Sequence, residues 1–300
     1  MELFIQRLFD GLTNGSTYAL IAVALVLIFK ATTLINFAQG EFAMLGAFLV
    51  LVGSTEWFGG GIPMWVAVVV AMLLTAVMAA GVERVLIRPF DPSDHLPLVI
   101  ITLGLFLAIN ALAGIIWRFD PRSFPELFPS GTAFTVAGAR LSWYGVFSLG
   151  TALLVMTGLT LMLNRTKVGL AFRAVSSNLE SSQLVGIRTG PTLQFGWAIA
   201  AAVGTLAASV FVADPIRQLE PTVMGRVLIF AAAAAALGGL DSIWGALVGG
   251  LSIGLVQSLL VQYIGFIPSD MALATAVVVL LLVLLVRPAG LFGTKAVERV

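Results

Sequence analysis

Residues 164–190 read NRTKVGLAFRAVSSNLESSQLVGIRTG, a polar stretch that lies between two long apolar runs. Its charged residues are Arg165, Lys167, Arg173, Glu180 and Arg188. Because the flanking runs are long enough to cross a bilayer, the stretch is predicted to connect two membrane spans. We therefore expect an all-α, polytopic membrane protein in which this connection is exposed to water or to another protein.

The same stretch carries signals for a short helix. Ser177 and Glu180 have the S-x-x-E spacing of a capping box. Gly186 tolerates the positive φ at which many helices end. These signals predict a helix of about two turns, from Asn178 to Val185. Since so short a helix is marginal in water, it needs a surface to pack on. One interpretation is the surface of another protein, and the other is a solvated connector.

Composition restricts the class of protein and the chemistry available to it. The chain has 300 residues, of which 59% are hydrophobic and 10% charged, whereas soluble domains have about 25% charged residues. The net charge of +1 gives no indication of nucleic acid binding, and cysteine is absent. No H-E-x-x-H, G-x-S-x-G or Walker A pattern occurs. We expect no catalytic residues, no metal site and no cofactor in this chain.

The apolar runs predict about nine membrane spans, within a range of eight to ten, some of them broken or re-entrant. Residues 227–262 count as two spans because the Gly-rich segment GGLDSIWGALVGG interrupts them. Eight spans remain the main alternative, if residues 31–52 are re-entrant. The distribution of Lys and Arg places three regions on the cytoplasmic side: the loop with Arg84 and Arg88, the 164–190 stretch, and the basic C-terminal tail with Arg287, Lys295 and Arg299. The N-terminus is then outside, and residues 118–141 form a periplasmic connection.

Residues 31–52, ATTLINFAQGEFAMLGAFLVLV, do not read as an ordinary spanning helix. Four residues interrupt the apolar pattern, namely Asn36, Gln39, Gly40 and Glu41. Because a carboxylate facing lipid is costly, Glu41 is expected to face protein or water. A broken helix that lines a translocation pathway has this pattern. The alternative is a simple cytoplasmic turn. A weak similarity between AQGEFAMLGAFLV and LDSIWGALVGGLS also suggests an internal repeat.

Five segments together carry a family resemblance: residues 15–48, 101–110, 169–187, 236–257 and 286–293. They include the elements NFAQGE and RPAGLFG, and they follow the same order as in the family. The chain resembles the membrane permease subunits of bacterial branched-chain amino acid ABC importers, of the high-affinity leucine, isoleucine and valine type. The resemblance extends over nearly the whole chain.

That resemblance implies a single permease domain in the bacterial inner membrane, with a cytoplasmic coupling loop at residues 164–190. It implies four partner subunits: a second homologous permease, two cytoplasmic ATPase subunits that carry ATP and Mg, and a periplasmic substrate-binding protein. The energy for transport would come from the ATPases. The residues expected to contact the ATPase are Arg173, Ala174, Asn178, Leu179, Ser182, Leu184, Gly186, Ile187 and Arg188.

Two positions depart from the family pattern. Ser182 stands where the family usually has Ala, and Gln39 where it often has His. Because the second change alters polarity at the expected pathway, the substrate stays open between branched-chain amino acids and a related solute such as urea, a short amide or an aromatic acid. A self-contained secondary transporter would use Glu41 and Asp241 for ion coupling and should carry more paired charges within the membrane.

Overall fold

The computed structural model describes residues 1–90, 95–213, 217–263, 271–287 and 289–293. Lys295 and Arg299, which the charge distribution assigns to a cytoplasmic tail, lie outside these ranges.

Helices make up most of the described residues. They are α1 Glu2–Thr32, α2 Gln39–Thr55, α3 Met64–Val82, α4 His95–Trp117, α5 Trp143–Arg165, α6 Lys167–Ser177, α7 Leu179–Leu184, α8 Thr189–Ala213, α9 Val223–Gly238, α10 Ile243–Tyr263 and α11 Ala272–Val286. A single 3₁₀ turn at Trp57–Gly59 follows α2, and a π-helical turn at Glu83–Ile87 follows α3. Short antiparallel pairs join β1 Arg122–Ser123 to β4 Gln218–Leu219, and β2 Thr132–Val136 to β3 Ala139–Ser142.

Among the described residues, seven helical segments are long and apolar enough to cross a membrane. Five of them are the helices α1, α4, α5, α8 and α10. The other two are α2 together with the 3₁₀ turn that follows it, and α3 together with the π-helical turn that follows it. The apolar helices α9 and α11 are shorter, at 16 and 15 residues. The chain is therefore an all-α, multi-pass membrane protein, as the apolar runs predict.

The boundaries differ from the sequence-based expectation in α1. The amphipathic pattern of residues 1–10 is typical of an interfacial segment, but α1 continues through them without a break to Thr32. Only its first residues are solvent-exposed, with Leu3 53% and Phe4 44% accessible. Residues 5–32 are instead half-buried or buried. The amphipathic residues therefore form the start of α1, where the helix leaves the packed region.

The chain divides into two compact units, and the first comprises residues 1–26, 128–156 and 228 onward. Glycines let its helices approach backbone to backbone. A Cβ on Gly15 would lie 2.7 Å from Leu251 Cα, and one on Gly250 would lie 2.6 Å from Ala19 Cα. A Cβ on Gly249 would collide with the carbonyl oxygen of Ala234. A Cβ on Gly245 would likewise collide with the carbonyl oxygen of Gly238, so the spacing Gly245…Gly249 marks a close helix contact.

The second unit comprises residues 27–127 and 157–227, and α2, α3 and α8 pack together in it. A Cβ on Gly46 would collide with the Thr205 side chain, so α2 and α8 approach closely there. The hydroxyls of Thr75 and Thr205 lie 2.8 Å apart in the buried space between α3 and α8. This packing holds the first turn of α2 against the middle of α8.

Candidate functional site

The polar residues of the 31–52 segment lie at the joint between α1 and α2. Residues 33–38 are non-helical, and α2 begins at Gln39. Asn36 stands in the joint, where its Oδ1 accepts a hydrogen bond from the Ala38 amide at 3.0 Å. The exposed fractions of Asn36, Gln39 and Glu41 are 1%, 0% and 0%. A solvated turn does not bury three polar side chains, so the interruption is a buried joint between two helices.

Buried hydrogen bonds tie this joint to α8 and α4. The Gln39 side-chain amide donates to the carbonyl of Ala200 in α8 at 2.9 Å. Gly204 makes room for it, because a Cβ there would lie 2.6 Å from Gln39 Nε2. The Asn110 amide in α4 donates to Glu41 Oε2 at 3.2 Å and to the Pro221 carbonyl at 2.9 Å. The sequence reveals Asn110 as a polar residue in an apolar run but does not reveal its partner.

Three buried atoms of the joint have no hydrogen-bond partner within the described residues: Asn36 Nδ2, Gln39 Oε1 and Glu41 Oε1. An unpaired buried polar atom costs about 1–3 kcal/mol, so such atoms are rare unless they serve a function. One donor and two acceptors can exchange hydrogen bonds with a polar solute or with water. We call Asn36, Gln39, Gly40 and Glu41 the polar joint.

A residue that sequence reasoning missed lies beside the polar joint. Trp197 of α8 is 2% exposed, and its Nε1 also has no hydrogen-bond partner within the described residues. Trp197, Asn36 and Thr102 line one small cavity of about 10 Å³, which is close to the smallest space that holds a water. A tryptophan in an apolar run has no sequence signal that separates an indole facing a polar cavity from one facing lipid.

The second group of predicted residues lies on α6 and α7. Thr166 caps α6 by accepting from the Gly169 amide at 3.0 Å, and Asn178 caps α7 by accepting from the Ser181 amide at 2.7 Å. The prediction that Ser177 caps the short helix is wrong, because Ser177 ends α6. Asn178 has φ −161° and ψ 113°, the extended conformation of an N-cap residue. The short helix accordingly spans Leu179–Leu184 rather than 178–185.

The end of α7 agrees with the prediction. Gly186 has φ +83°, the left-handed conformation that glycine adopts without strain. The amide of Ile187 donates to the Ser182 carbonyl at 2.9 Å, and the amide of Gly186 donates to the Gln183 carbonyl at 3.0 Å. These bonds satisfy carbonyls at the helix end, so the stop is built into the backbone.

The predicted contact residues differ in exposure, and Val185, which is not among them, belongs with the exposed ones. Leu184 and Val185 are apolar yet 88% and 75% exposed. Ser182 is 3% exposed, and its hydroxyl donates to the Asn178 carbonyl at 2.7 Å, so it faces inward. The other exposed positions are Arg173, Asn178, Gly186 and Arg188, and the half-buried ones are Ala174, Leu179 and Ile187. The outer apolar surface of α7 thus comes from Leu184 and Val185 rather than from Leu179.

An open cavity of about 690 Å³ lies behind α7 within the second unit. Its walls include the end of α1 at Thr32, the turn after α3, and residues of α6, α7 and α8. Leu179 and Gln183 of α7 face it, opposite Leu193 and Trp197 of α8. Trp197 lines both this cavity and the small cavity beside Asn36, so one side chain lies in the walls of both cavities. The polar joint borders the small cavity, and α7 borders the large one.

Comparison with known proteins places residues 7–286 in a family described as branched-chain amino acid transport system / permease component. The chain is 30% identical over 305 residues to the high-affinity branched-chain amino acid transport system permease protein BraD of Pseudomonas aeruginosa, covering 99% of this chain and 98% of BraD. It is 29% identical over 306 residues to the Escherichia coli K12 protein LivH, which has the same description, again covering 99% and 98%. A solved structure, PsaBC from Streptococcus pneumoniae in complex with Fab, has a TM-score of 0.46 at 12% identity, covering 93% of this chain and 90% of that one.

Proposed function

We propose that this chain, which belongs to the family of branched-chain amino acid transport system permease components, translocates branched-chain amino acids with energy from separate ATPase subunits. The observation that carries the proposal is the family match along nearly the whole chain, from residue 7 to residue 286. Its relatives BraD and LivH are transport permeases by name. The chain is then a translocation subunit without an ATPase site of its own.

The proposal implies the partners that the sequence resemblance implies. A second homologous permease completes the translocation unit, two ATPase subunits bind ATP and Mg on the cytoplasmic side, and a periplasmic protein delivers the amino acid. The complex lies in the bacterial inner membrane, with the C-terminus of this chain in the cytoplasm. Lys and Arg in short connections support that orientation.

Helix α7 is the proposed contact with the ATPase. It has only six residues, and its caps at Asn178 and Gly186 set where it begins and ends. Leu184 and Val185 are almost fully exposed, although neither belongs to a segment of spanning length. Apolar side chains at the tip of a capped helix suit insertion into a groove of a partner, where burial stabilises them. Arg173 and Arg188 are exposed and would contact acidic groups at the rim.

The polar joint is the proposed part of the translocation pathway in this chain. Its unpaired acceptors are held on α2 by the bonds of Gln39 to α8 and of Glu41 to Asn110, and its unpaired donor is held by the bond from the Ala38 amide to Asn36 Oδ1. A translocated amino acid carries both a donor ammonium and an acceptor carboxylate, so a pathway must offer partners of both kinds. Asn36 Nδ2 is a donor, and Gln39 Oε1 and Glu41 Oε1 are acceptors.

A related solute is the second candidate, because Gln39 departs from the family pattern at the polar joint. Urea, a short amide or an aromatic acid would each meet the same hydrogen-bonding groups. Competition distinguishes these substrates. The complex of the tagged chain with its partners is reconstituted in liposomes with ATP inside, and uptake of labelled leucine is measured against each unlabelled solute.

We expect ATP-dependent leucine uptake that isoleucine and valine suppress and that urea, acetamide and benzoate leave unchanged. If urea, acetamide or benzoate suppresses leucine uptake while isoleucine and valine do not, that solute class becomes the proposed substrate instead. Leucine uptake that continues without ATP and follows an imposed ion gradient would indicate a secondary transporter and contradict the proposal.

A further inference from the structure

The turn after α3 has an uncommon backbone. The Arg88 amide donates to the Glu83 carbonyl at 2.8 Å, which closes a π-helical turn of five residues. Such turns are rare and occur often at functional sites. In this one, the wider turn brings the Arg88 side chain back over Glu83, so that both residues line the cavity behind α7.

Arg88 and Glu83 form a two-point ion pair. Arg88 Nη2 lies 2.6 Å from Glu83 Oε2, and Arg88 Nε lies 3.3 Å from Glu83 Oε1. The Glu83 side chain is 2% exposed and that of Arg88 is 33% exposed. Because a buried carboxylate without its partner is strongly unfavourable, Glu83 holds the guanidinium in place. The planar fork of arginine fits this arrangement, which the point charge of lysine does not reproduce.

The same guanidinium reaches the start of α8. Arg88 Nη2 donates to the Gly190 carbonyl at 3.0 Å and to Gln194 Oε1 at 3.1 Å. Gln194 completes the link by donating from Nε2 to the Ala80 carbonyl, in the last turn of α3, at 3.0 Å. A Cβ on Gly190 would lie 3.2 Å from Arg88 Cζ, so glycine permits this close approach. Two polar connections therefore join the end of α3 to the start of α8.

This junction lies immediately beside α7 in the chain. Helix α7 ends at Leu184 and α8 begins at Thr189, so only four residues separate the two helices. Gln183 of α7 also donates to the Thr189 hydroxyl at 3.2 Å. A displacement of α7 is thus transmitted to the first turn of α8, where the guanidinium of Arg88 is bonded.

We propose that Arg88 is a positioning residue that couples α7 to the membrane spans, by fixing the start of α8 to the end of α3 through Glu83. The inference rests on the proposed function, since it assumes that an ATPase moves α7. With the junction intact, α3 and α8 move together when α7 is displaced. Without it, α8 moves relative to α3, and ATP hydrolysis no longer drives translocation efficiently.

The test compares the double variant Glu83→Gln/Arg88→Gln with a matched pair elsewhere. Removing both charges avoids an unpaired buried carboxylate, so the variant is expected to fold. The control is Glu126→Gln/Arg217→Gln, which removes a 2.7 Å ion pair whose side chains are 49% and 42% exposed, beyond the far end of α8. Both variants are purified with their ATPase partners, and hydrolysis and leucine uptake are measured in the same liposomes.

For the junction variant we expect normal ATPase copurification, hydrolysis at half the wild-type rate or more, and leucine uptake per ATP lowered about tenfold, within the usual range of coupling between sites. The control should keep the wild-type ratio. An unchanged ratio of leucine uptake to ATP hydrolysis in the junction variant, whether or not both rates fall, would overturn the role of Arg88. If the wild-type chain does not copurify with an ATPase at all, the proposed function itself fails, which is a separate outcome.

A conservative change distinguishes positioning from a bulk effect of charge. Arg88→Lys keeps the positive charge near Glu83 but removes the fork that contacts Glu83 and the Gly190 carbonyl together. We expect an intermediate ratio of uptake to hydrolysis for this variant. A wild-type ratio in Arg88→Lys combined with a lowered ratio in the double variant would show that charge, rather than the geometry of the junction, is what matters.

Discussion

Gln39→Leu separates a pathway role of the polar joint from a structural role. Leucine has nearly the volume of glutamine, and the site is fully buried between α2 and α8. The change removes the bond from Gln39 Nε2 to the Ala200 carbonyl at 2.9 Å and also removes the unpaired Oε1. Ala200 lies inside α8, where its carbonyl also accepts the intrahelical bond.

The expected change in the free energy of unfolding is therefore small. Loss of a polar side-chain bond between membrane helices lowers the free energy of unfolding by about 0.6 kcal/mol on average. Removal of an unpaired buried acceptor raises it by about 1–3 kcal/mol. The two terms oppose each other, so the variant should be as stable as the wild type or slightly more stable. Any large loss of uptake then comes from lost hydrogen-bonding capacity in the pathway.

The assay is leucine uptake in cells, divided by the abundance of the chain in the membrane. We expect Gln39→Leu to lower this ratio about tenfold, which corresponds to about 1.4 kcal/mol. Thr75→Val is the matched control, because it also removes one buried polar group that faces α8, the hydroxyl paired with Thr205. It should leave the ratio within twofold. Normal uptake at normal abundance for Gln39→Leu would refute the pathway role.

Three further predictions concern packing, the end of α7 and orientation. Gly46→Ala should lower the melting temperature of the purified chain, corresponding to a loss of about 1–3 kcal/mol in the free energy of unfolding, because its Cβ collides with Thr205. Thr205→Gly in the same chain should relieve the collision but recover only part of the loss, since glycine inside α8 itself costs about 0.5–1 kcal/mol. Gly186→Val should leave membrane abundance unchanged but reduce ATPase copurification, since valine at φ +83° is strained. A cysteine at Ser181 should react with impermeant maleimide only after cell lysis, and one at Gly131 in intact cells; the reverse pattern would invert the orientation.

Much of the fold is predictable because the constraints are local. Apolar runs of spanning length determine the helices of the membrane region, and a Gly-rich interruption separates α9 from α10. Gly186 is predictable as a helix end because few other residues adopt its backbone conformation. The N-cap of α7 is harder to predict, since Ser177 and Asn178 are both good capping residues and only the end of α6 decides between them.

The candidate sites depend on contacts between distant residues, and these are not visible in the sequence. Gln39 meets Ala200 across 161 positions, and Arg88 meets Gly190 across 102. The sequence marks Glu41 as a costly carboxylate but does not indicate that Asn110 is its partner. It likewise shows Glu83 and Arg88 as charges after an apolar run, which resembles an ordinary span end. The π-helical turn that pairs them has no such local signal.

The central claim is that α7 binds an ATPase subunit, and substitutions of Leu184 test this claim most directly. Leu184→Asp places a charge on a side chain that is 88% exposed, whereas Leu184→Met keeps an apolar side chain of similar size. The measurement is the amount of ATPase that copurifies with the tagged chain from solubilised membranes, together with its substrate-stimulated hydrolysis. We predict that both are lost in Leu184→Asp and retained in Leu184→Met, at equal abundance of the chain. Full copurification and stimulated hydrolysis with Leu184→Asp would contradict the claim and leave α7 as a connector between spans.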